Sequence, residues 1–163
     1  MSESQAHKGA NGLEIERKFL MDKLPRDLES LPSVEIQQGY IHASQGFEAR
    51  LRRKDEKLLF TIKMGEGRTR QETEIELSRE QFDVLWPLSE GRRVEKRRYM
   101  RSVESLVIEY DVYSGALQGL AVAEIEFDSE ETCESFVPPE HLGLEVTGDN
   151  RYANKNLALN GAP

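Results

Sequence analysis

Leu13-Glu14-Ile15-Glu16-Arg17-Lys18-Phe19 alternates: Leu13, Ile15 and Phe19 point one way, and Glu14, Glu16 and Lys18 point the other. A period of two belongs to an extended strand with one apolar and one polar face. The alternation returns over residues 47–54, 57–64, 69–77, 106–113 and 121–128, and more weakly over 34–42 and 92–101. About eight strands are therefore predicted, joined by turn signals at Ser44-Gln45-Gly46, Lys54-Asp55-Glu56, Gly65-Glu66-Gly67 and Ser114-Gly115.

The polar faces of these strands are almost entirely charged. They carry Glu14, Glu16, Lys18; Glu48, Arg50, Arg52; Thr61, Lys63; Glu72, Glu74, Glu76; Glu109, Asp111; and Glu124, Glu126, Asp128. The opposite faces supply most of a hydrophobic layer, including Ala49, Leu51, Phe60, Ile62, Tyr110, Ala123, Ile125 and Phe127. Any one such motif also fits a solvated strand surface, but their coincidence on most strands favours an inverted arrangement. The predicted fold is α+β: an eight-stranded antiparallel β-barrel or tunnel with a charged interior and helices packed outside. The strand over 92–101 alternates poorly, with Glu95 and Arg97 on the face that should be apolar, so it is expected at an edge or under partial cover.

Helices are few. Ser78 with Gln81 has capping-box spacing, and Leu77 with Phe82 forms a hydrophobic staple, so a helix starts there and ends near Trp86-Pro87. A second is predicted over 129–136, before Pro138-Pro139, and a third from Asp149 to about Leu159. Trp86, Phe82 and Leu85 read as helix core, and Tyr99 and Tyr110 as apolar-side packing. Residues 1–12 and 160–163 read as loose tails around one domain over 13–159.

Composition narrows the function classes. A formal net charge of -8 argues against nonspecific binding of nucleic acid or anionic membranes. The lone Cys133 cannot form an internal disulfide, and no apolar run approaches a membrane span or signal peptide, which predicts a cytoplasmic protein. His7, His42 and His141 are scattered, which excludes a zinc cluster.

Mixed charges inside a sheet are costly unless counter-charges or a ligand complete them. A polyanion carrying divalent cations would satisfy both signs. Carboxylates two apart on a strand have Cα atoms about 7 Å apart on one face, so Glu14 with Glu16, and Glu124 with Glu126, can flank a small hard cation such as Mg²⁺ or Mn²⁺. Arg50 and Arg52 form a fork suited to phosphate oxygens, with Lys18, Lys63 and Lys96 as point charges. There is no phosphate-cradling glycine loop; Gly65-Glu66-Gly67 reads as a hairpin turn.

The motif Glu14-Ile15-Glu16-Arg17-Lys18-Phe19-Leu20 resembles the N-terminal signature of the CYTH superfamily, the triphosphate tunnel metalloenzymes. Arg50-Leu51-Arg52, Thr61-Ile62-Lys63, Glu72-Thr73-Glu74-Ile75-Glu76, Glu95-Lys96-Arg97-Arg98-Tyr99, Ile108-Glu109-Tyr110-Asp111 and Ala123-Glu124-Ile125-Glu126-Phe127 follow in that family's order, as does Glu145 to Tyr152. The resemblance, which is strongest to the short bacterial inorganic triphosphatases, implies metal ligands at Glu14, Glu16, Asp111, Glu124 and Glu126. It implies phosphate contacts at Lys18, Arg50, Arg52, Lys63, Lys96, Arg98 and Arg151, and, from the similar Gln38-Gly39-Tyr40 motif together with Lys96, a Tyr40 and Lys96 pair beside the reacting phosphate. Glu74 and Glu76 match tunnel acids that touch either metal or a basic side chain. A C-terminal helix is expected to close one mouth, and a homodimer is compatible with the resemblance.

The function so implied is metal-dependent hydrolysis of tripolyphosphate to pyrophosphate and phosphate. Adenylyl cyclisation of the class IV kind, hydrolysis of another nucleoside or organic triphosphate, and non-catalytic polyphosphate sensing are the alternatives. A thiamine-specific site is disfavoured, because the only tryptophan lies in the Ser78 helix.

Overall fold

A computed structural model describes residues 15–65 and 71–163 of the chain. Its strands are β1 (Ile15–Leu20), β2 (Ser33–Ser44), β3 (Phe47–Lys54), β4 (Lys57–Met64), β5 (Gln71–Glu76), β6 (Arg93–Val103), β7 (Leu106–Tyr113) and β8 (Ala121–Phe127). They form one antiparallel sheet in the order β1-β8-β7-β6-β2-β3-β4-β5. The sheet curls so that side chains of β1 and β5, at opposite ends of this order, line one cavity. Among the described residues β1 and β5 do not pair, so the hydrogen-bonded barrel is not closed.

The period-two pattern works as read: the apolar residues face outward and are covered in patches. Phe19, Ile108, Tyr110, Ala123, Ile125 and Phe127 pack beneath Leu28, Leu142 and Phe136. Leu51 and Leu58 pack beneath α1 (Arg79–Leu85), where Phe82 is buried and stacks on Trp86 at 5.2 Å. Ser78 caps that helix reciprocally with Gln81, and Leu77 joins the same cluster. The approach of the following 3₁₀ turn, Trp86–Ser89, requires glycine at position 39: a Cβ there would lie 2.3 Å from Ser89 Oγ.

Two expectations change, and the two readings of β6 are separated: the strand is central, between β2 and β7, and only partly covered, with Glu95 and Arg97 exposed and Tyr99 of the same face buried. The free edge of β1 is covered by residues that gave no strand signal: Leu20 N donates to Leu144 O (2.8 Å) and Val146 N to Lys18 O (2.8 Å). The predicted C-terminal helix is broken. A 3₁₀ turn over Asn150–Tyr152, capped by Asp149, gives way at the extended Ala153 before α3 (Asn154–Asn160), which Gly161 ends at φ 80. The short α2 (Glu130–Ser135) lies where expected, behind a Ser129 cap. Residues 1–14, including the expected tail and Glu14, lie outside the described residues, as does the Gly65-Glu66-Gly67 turn beyond Gly65.

At one end of the curl the inner face turns apolar. Leu20, Tyr40, Val94, Tyr113 and Val122 pack there against Leu157 and Ala158 of α3. Tyr113 Oη donates to Asn154 Oδ1 (2.6 Å), which fixes the start of that helix.

Candidate active site

Alternation on β3 sends Glu48, Arg50, Arg52 and Lys54 to one side, and register places Gln38 of β2 opposite Arg52 and Tyr40 opposite Arg50. On the far wall, Glu16 faces Glu126 and Lys18 faces Glu124 across β1 and β8, while Glu109 faces Glu124 across β7 and β8. These residues line a cavity of about 640 Å³ together with Lys63, Glu72, Glu74, Lys96 and Arg98. The β3 and β4 wall is predominantly basic, and the β1, β8 and β7 wall is predominantly acidic.

Behind the cavity lies a buried ion cluster. The Asp111 side chain has no exposure, and it accepts from Lys96 Nζ and from Arg98 through Nε (2.7 Å) and Nη2 (2.7 Å). Arg98 also reaches Glu124 (3.0 Å), and Glu124 holds Lys18 (2.8 Å). Burial pushes the Asp111 carboxyl upward, but Lys96 and Arg98 outweigh it and bring the group to about 2. Burial and Asp111 likewise press Glu124 upward, and Lys96, Arg98 and Lys18 hold it below the usual carboxylate range. Burial, reinforced by Arg98, lowers Lys96 from an ordinary lysine despite Asp111. Glu109 is raised, chiefly by burial.

On the basic wall Lys63 Nζ pairs with Glu72 at 2.9 Å. Arg50 Nη1 lies 3.4 Å from Glu48, and Arg52 has no carboxylate within ion-pair distance among the described residues; its Nε donates to Gln38 Oε1 (3.0 Å). Burial, together with Arg50 and Arg98, lowers the proton affinity of Arg52. Burial pushes the Tyr40 phenol up to about 12, so it stays protonated.

Of the residues expected from sequence, Glu16, Lys18, Tyr40, Arg50, Arg52, Lys63, Glu74, Lys96, Arg98, Glu124 and Glu126 line the cavity. Asp111 does not line it; both its oxygens are taken by Lys96 and Arg98. Glu76 is exposed on β5, and Arg151 is turned to solvent in an ion pair with Asp149 (2.7 Å), so neither lines the cavity. Glu74 accepts from Thr61 Oγ1 (2.9 Å). Lys54, Glu48, Glu72 and Glu109 were on the alternating faces but not singled out. Gln38, on the same face of β2 as Tyr40, also lines the cavity, as do Asn150, Asn154 and Lys155 of the C-terminal segment, to which no strand period points.

The acidic wall suits a hard divalent cation. Glu16 and Glu126 occupy adjacent cross-strand positions, and their carboxylate oxygens are the ligand type such ions take. Among the described residues no three acidic, histidine or cysteine groups form a ready cage.

A curled antiparallel sheet with facing basic and acidic walls defines a receptor for a small polyanion accompanied by cations. Residues 12–137 match the CYTH domain model, and the chain belongs to this family. It is 44% identical over 148 residues to the inorganic triphosphatase of Nitrosomonas europaea, covering 90% of this chain and 97% of that protein. It is 37% identical over 153 residues to the inorganic triphosphatase of Acetivibrio thermocellus, covering 91% and 95%. A crystal structure of an inorganic triphosphatase superposes with a TM-score of 0.75 at 41% identity, over 92% of this chain and 97% of that one.

Proposed function

We propose that this protein is a metal-dependent inorganic triphosphatase, cleaving tripolyphosphate to pyrophosphate and phosphate. The observation that carries this reading is the division of one cavity into a basic wall, with Arg52 free of any described carboxylate partner, and an acidic wall of opposed glutamates. The two triphosphatase relatives support the substrate class.

Arg50, Arg52 and Lys63 bind the phosphate chain from one side, and Lys18 and Arg98 from the other. Glu16, Glu124 and Glu126, with Glu14 from the sequence, would hold Mg²⁺ or Mn²⁺. When bound, such an ion polarises the terminal phosphoryl group and lowers the pKa of water. Water attacks the terminal phosphorus in line, a cavity carboxylate takes its proton, and the bond to the bridging oxygen breaks to release pyrophosphate. Lys96 and Arg98 stabilise the charge that collects on the leaving oxygen, and Tyr40 donates from the same side. Asp111 anchors Lys96 and Arg98 from behind the cavity, and we assign it that role rather than direct metal contact. Glu76 and Arg151 have no part in this mechanism. The lone Cys133 supports a cytoplasmic setting, and a homodimer is compatible with the family.

The test is product analysis with Mg²⁺ and either tripolyphosphate or ATP. Equal yields of pyrophosphate and phosphate from tripolyphosphate, abolished by chelation and by Arg52→Ala, are expected. Cyclic AMP formed from ATP, or tight tripolyphosphate binding without turnover, would replace the reading with a cyclase or a sensor.

A further inference from the structure

Gln38 is 2% exposed on the inner face of β2, between Arg52 of β3 and Val94 of β6 in register. A glutamine so deeply buried must satisfy both ends of its amide. Its Oε1 accepts from Arg52 Nε at 3.0 Å, and its Nε2 donates to Tyr40 Oη. The amide has one consistent orientation. An arginine Nε–H only donates, so turning the amide over would set donor against donor.

This fixes more than the glutamine. With its Nε engaged by Gln38, the Arg52 guanidinium, which lines the cavity, keeps its two terminal nitrogens for a bidentate grip on phosphate. Tyr40 Oη, already accepting from Gln38, has its own proton left to donate elsewhere, and the cavity is the space its side chain lines. Burial keeps that proton on the phenol. Lys96 and Arg98 are held by carboxylates; Arg52 and Tyr40 are held by a neutral amide, which orients them without cancelling charge.

We propose that Gln38 is a positioning residue that couples Arg52 and Tyr40 into a pair of donors aimed at the phosphate chain. The inference deepens the triphosphatase reading and rests on it for its kinetic consequence, but the coupling exists without substrate and is measured separately.

Gln38→Met keeps the volume and removes both polar ends. Tripolyphosphate turnover is expected to lose about 10–100-fold in kcat/KM, the scale of misdirected hydrogen bonds to a charged substrate. In double-variant cycles with Tyr40→Phe and with Arg52→Lys, the combined losses should fall short of the product of the single losses by at least about threefold. A residue that merely packs gives independent losses, so multiplicative behaviour with both partners would overturn the proposal. In the ligand-free protein, the Arg52 Nε–H resonance, identified by its loss in Arg52→Lys, should exchange slowly in the native chain and in Tyr40→Phe but rapidly in Gln38→Met. Unchanged exchange in Gln38→Met would also overturn it. Should Gln38→Met not fold, Gln38→Asn, one methylene short of both partners, goes through the same cycles and exchange measurement. If the native protein does not hydrolyse tripolyphosphate, the triphosphatase reading fails; the exchange result, with calorimetric binding of tripolyphosphate to native and variant chains, still judges Gln38.

Discussion

Replacing Asp111, behind the cavity, with asparagine should cost more stability than any single isosteric change among the residues that line it. The carboxylate is wholly buried and pairs with Lys96, whose side chain is 2% exposed, and with Arg98, 18% exposed, which Glu109 and Glu124 also compensate, so Lys96 is the cation left alone when Asp111 is lost. Removing one partner of a buried ion pair costs about 3–5 kcal/mol, because the remaining charge is left uncompensated. Asparagine retains one acceptor for Arg98, so about 3 kcal/mol is expected. At roughly 2–4 °C per kcal/mol for a chain of this size, the Tm should fall by about 6–12 °C. Urea unfolding followed by circular dichroism gives the free-energy difference, with an unchanged slope as the check that the unfolded reference is the same. The sign with pH follows from the depressed folded value. Asp111 stabilises above the ordinary carboxylate value of 3.8, and that contribution fades as pH falls through about 2. The gap between native and variant should therefore narrow over that interval. Adding Lys96→Met to Asp111→Asn removes the orphaned cation and should recover at least about 1 kcal/mol. A loss below about 1 kcal/mol for Asp111→Asn at neutral pH would refute the argument that this carboxylate is the counter-charge for the buried Lys96.

Three other outcomes are expected. Glu16→Gln removes one of two opposed carboxylates and should raise the Mg²⁺ concentration for half-maximal turnover at least about tenfold, read from a metal titration at saturating tripolyphosphate. Gly39→Ala drives a Cβ toward Ser89 and the Trp86 ring and should cost about 1–3 kcal/mol in urea unfolding, with partial recovery on adding Ser89→Gly. Tyr113→Phe removes the donor to Asn154 and should speed amide hydrogen exchange across α3, by a factor matching about 1 kcal/mol, while the β3 and β4 amides stay protected.

The sheet was legible because charged and apolar residues alternate so strictly that the strand period survives without any partner in view. Phe47 to Lys54 is the clearest case, and the same pattern already contained Lys54. What a period cannot carry is register. Gln38 becomes informative only when β2 lies beside β3 with Arg52 opposite, and Asp111 looks like any inward carboxylate until Lys96 and Arg98 are found at its oxygens. The centrality of β6 was hidden because its partly covered outer face carries Glu95 and Arg97, which mimics an edge. The break at Ala153 was hidden for the opposite reason: alanine is a strong helix former, and the docking of Asn154 on Tyr113 prevails over local preference. The pairing of residues 144–146 with β1 joins backbone bonds to the Arg17–Glu145 ion pair (2.7 Å), contacts between segments so distant in sequence that no local period records them.

That last pairing bears on how the molecule assembles. The backbone partners of β1 are β8 on one side and residues 144–146 on the other, so both arrive more than about a hundred residues later in the chain. During synthesis the first strand waits with both edges unpaired, the condition in which strands stick to one another. Glu16, Arg17 and Lys18 sit within that short stretch, and inserted charges are what keep a waiting strand from pairing wrongly. The side chains that later face the phosphate cavity thus serve first as protection against aggregation, which ties the chemistry of the site to the order in which the chain emerges.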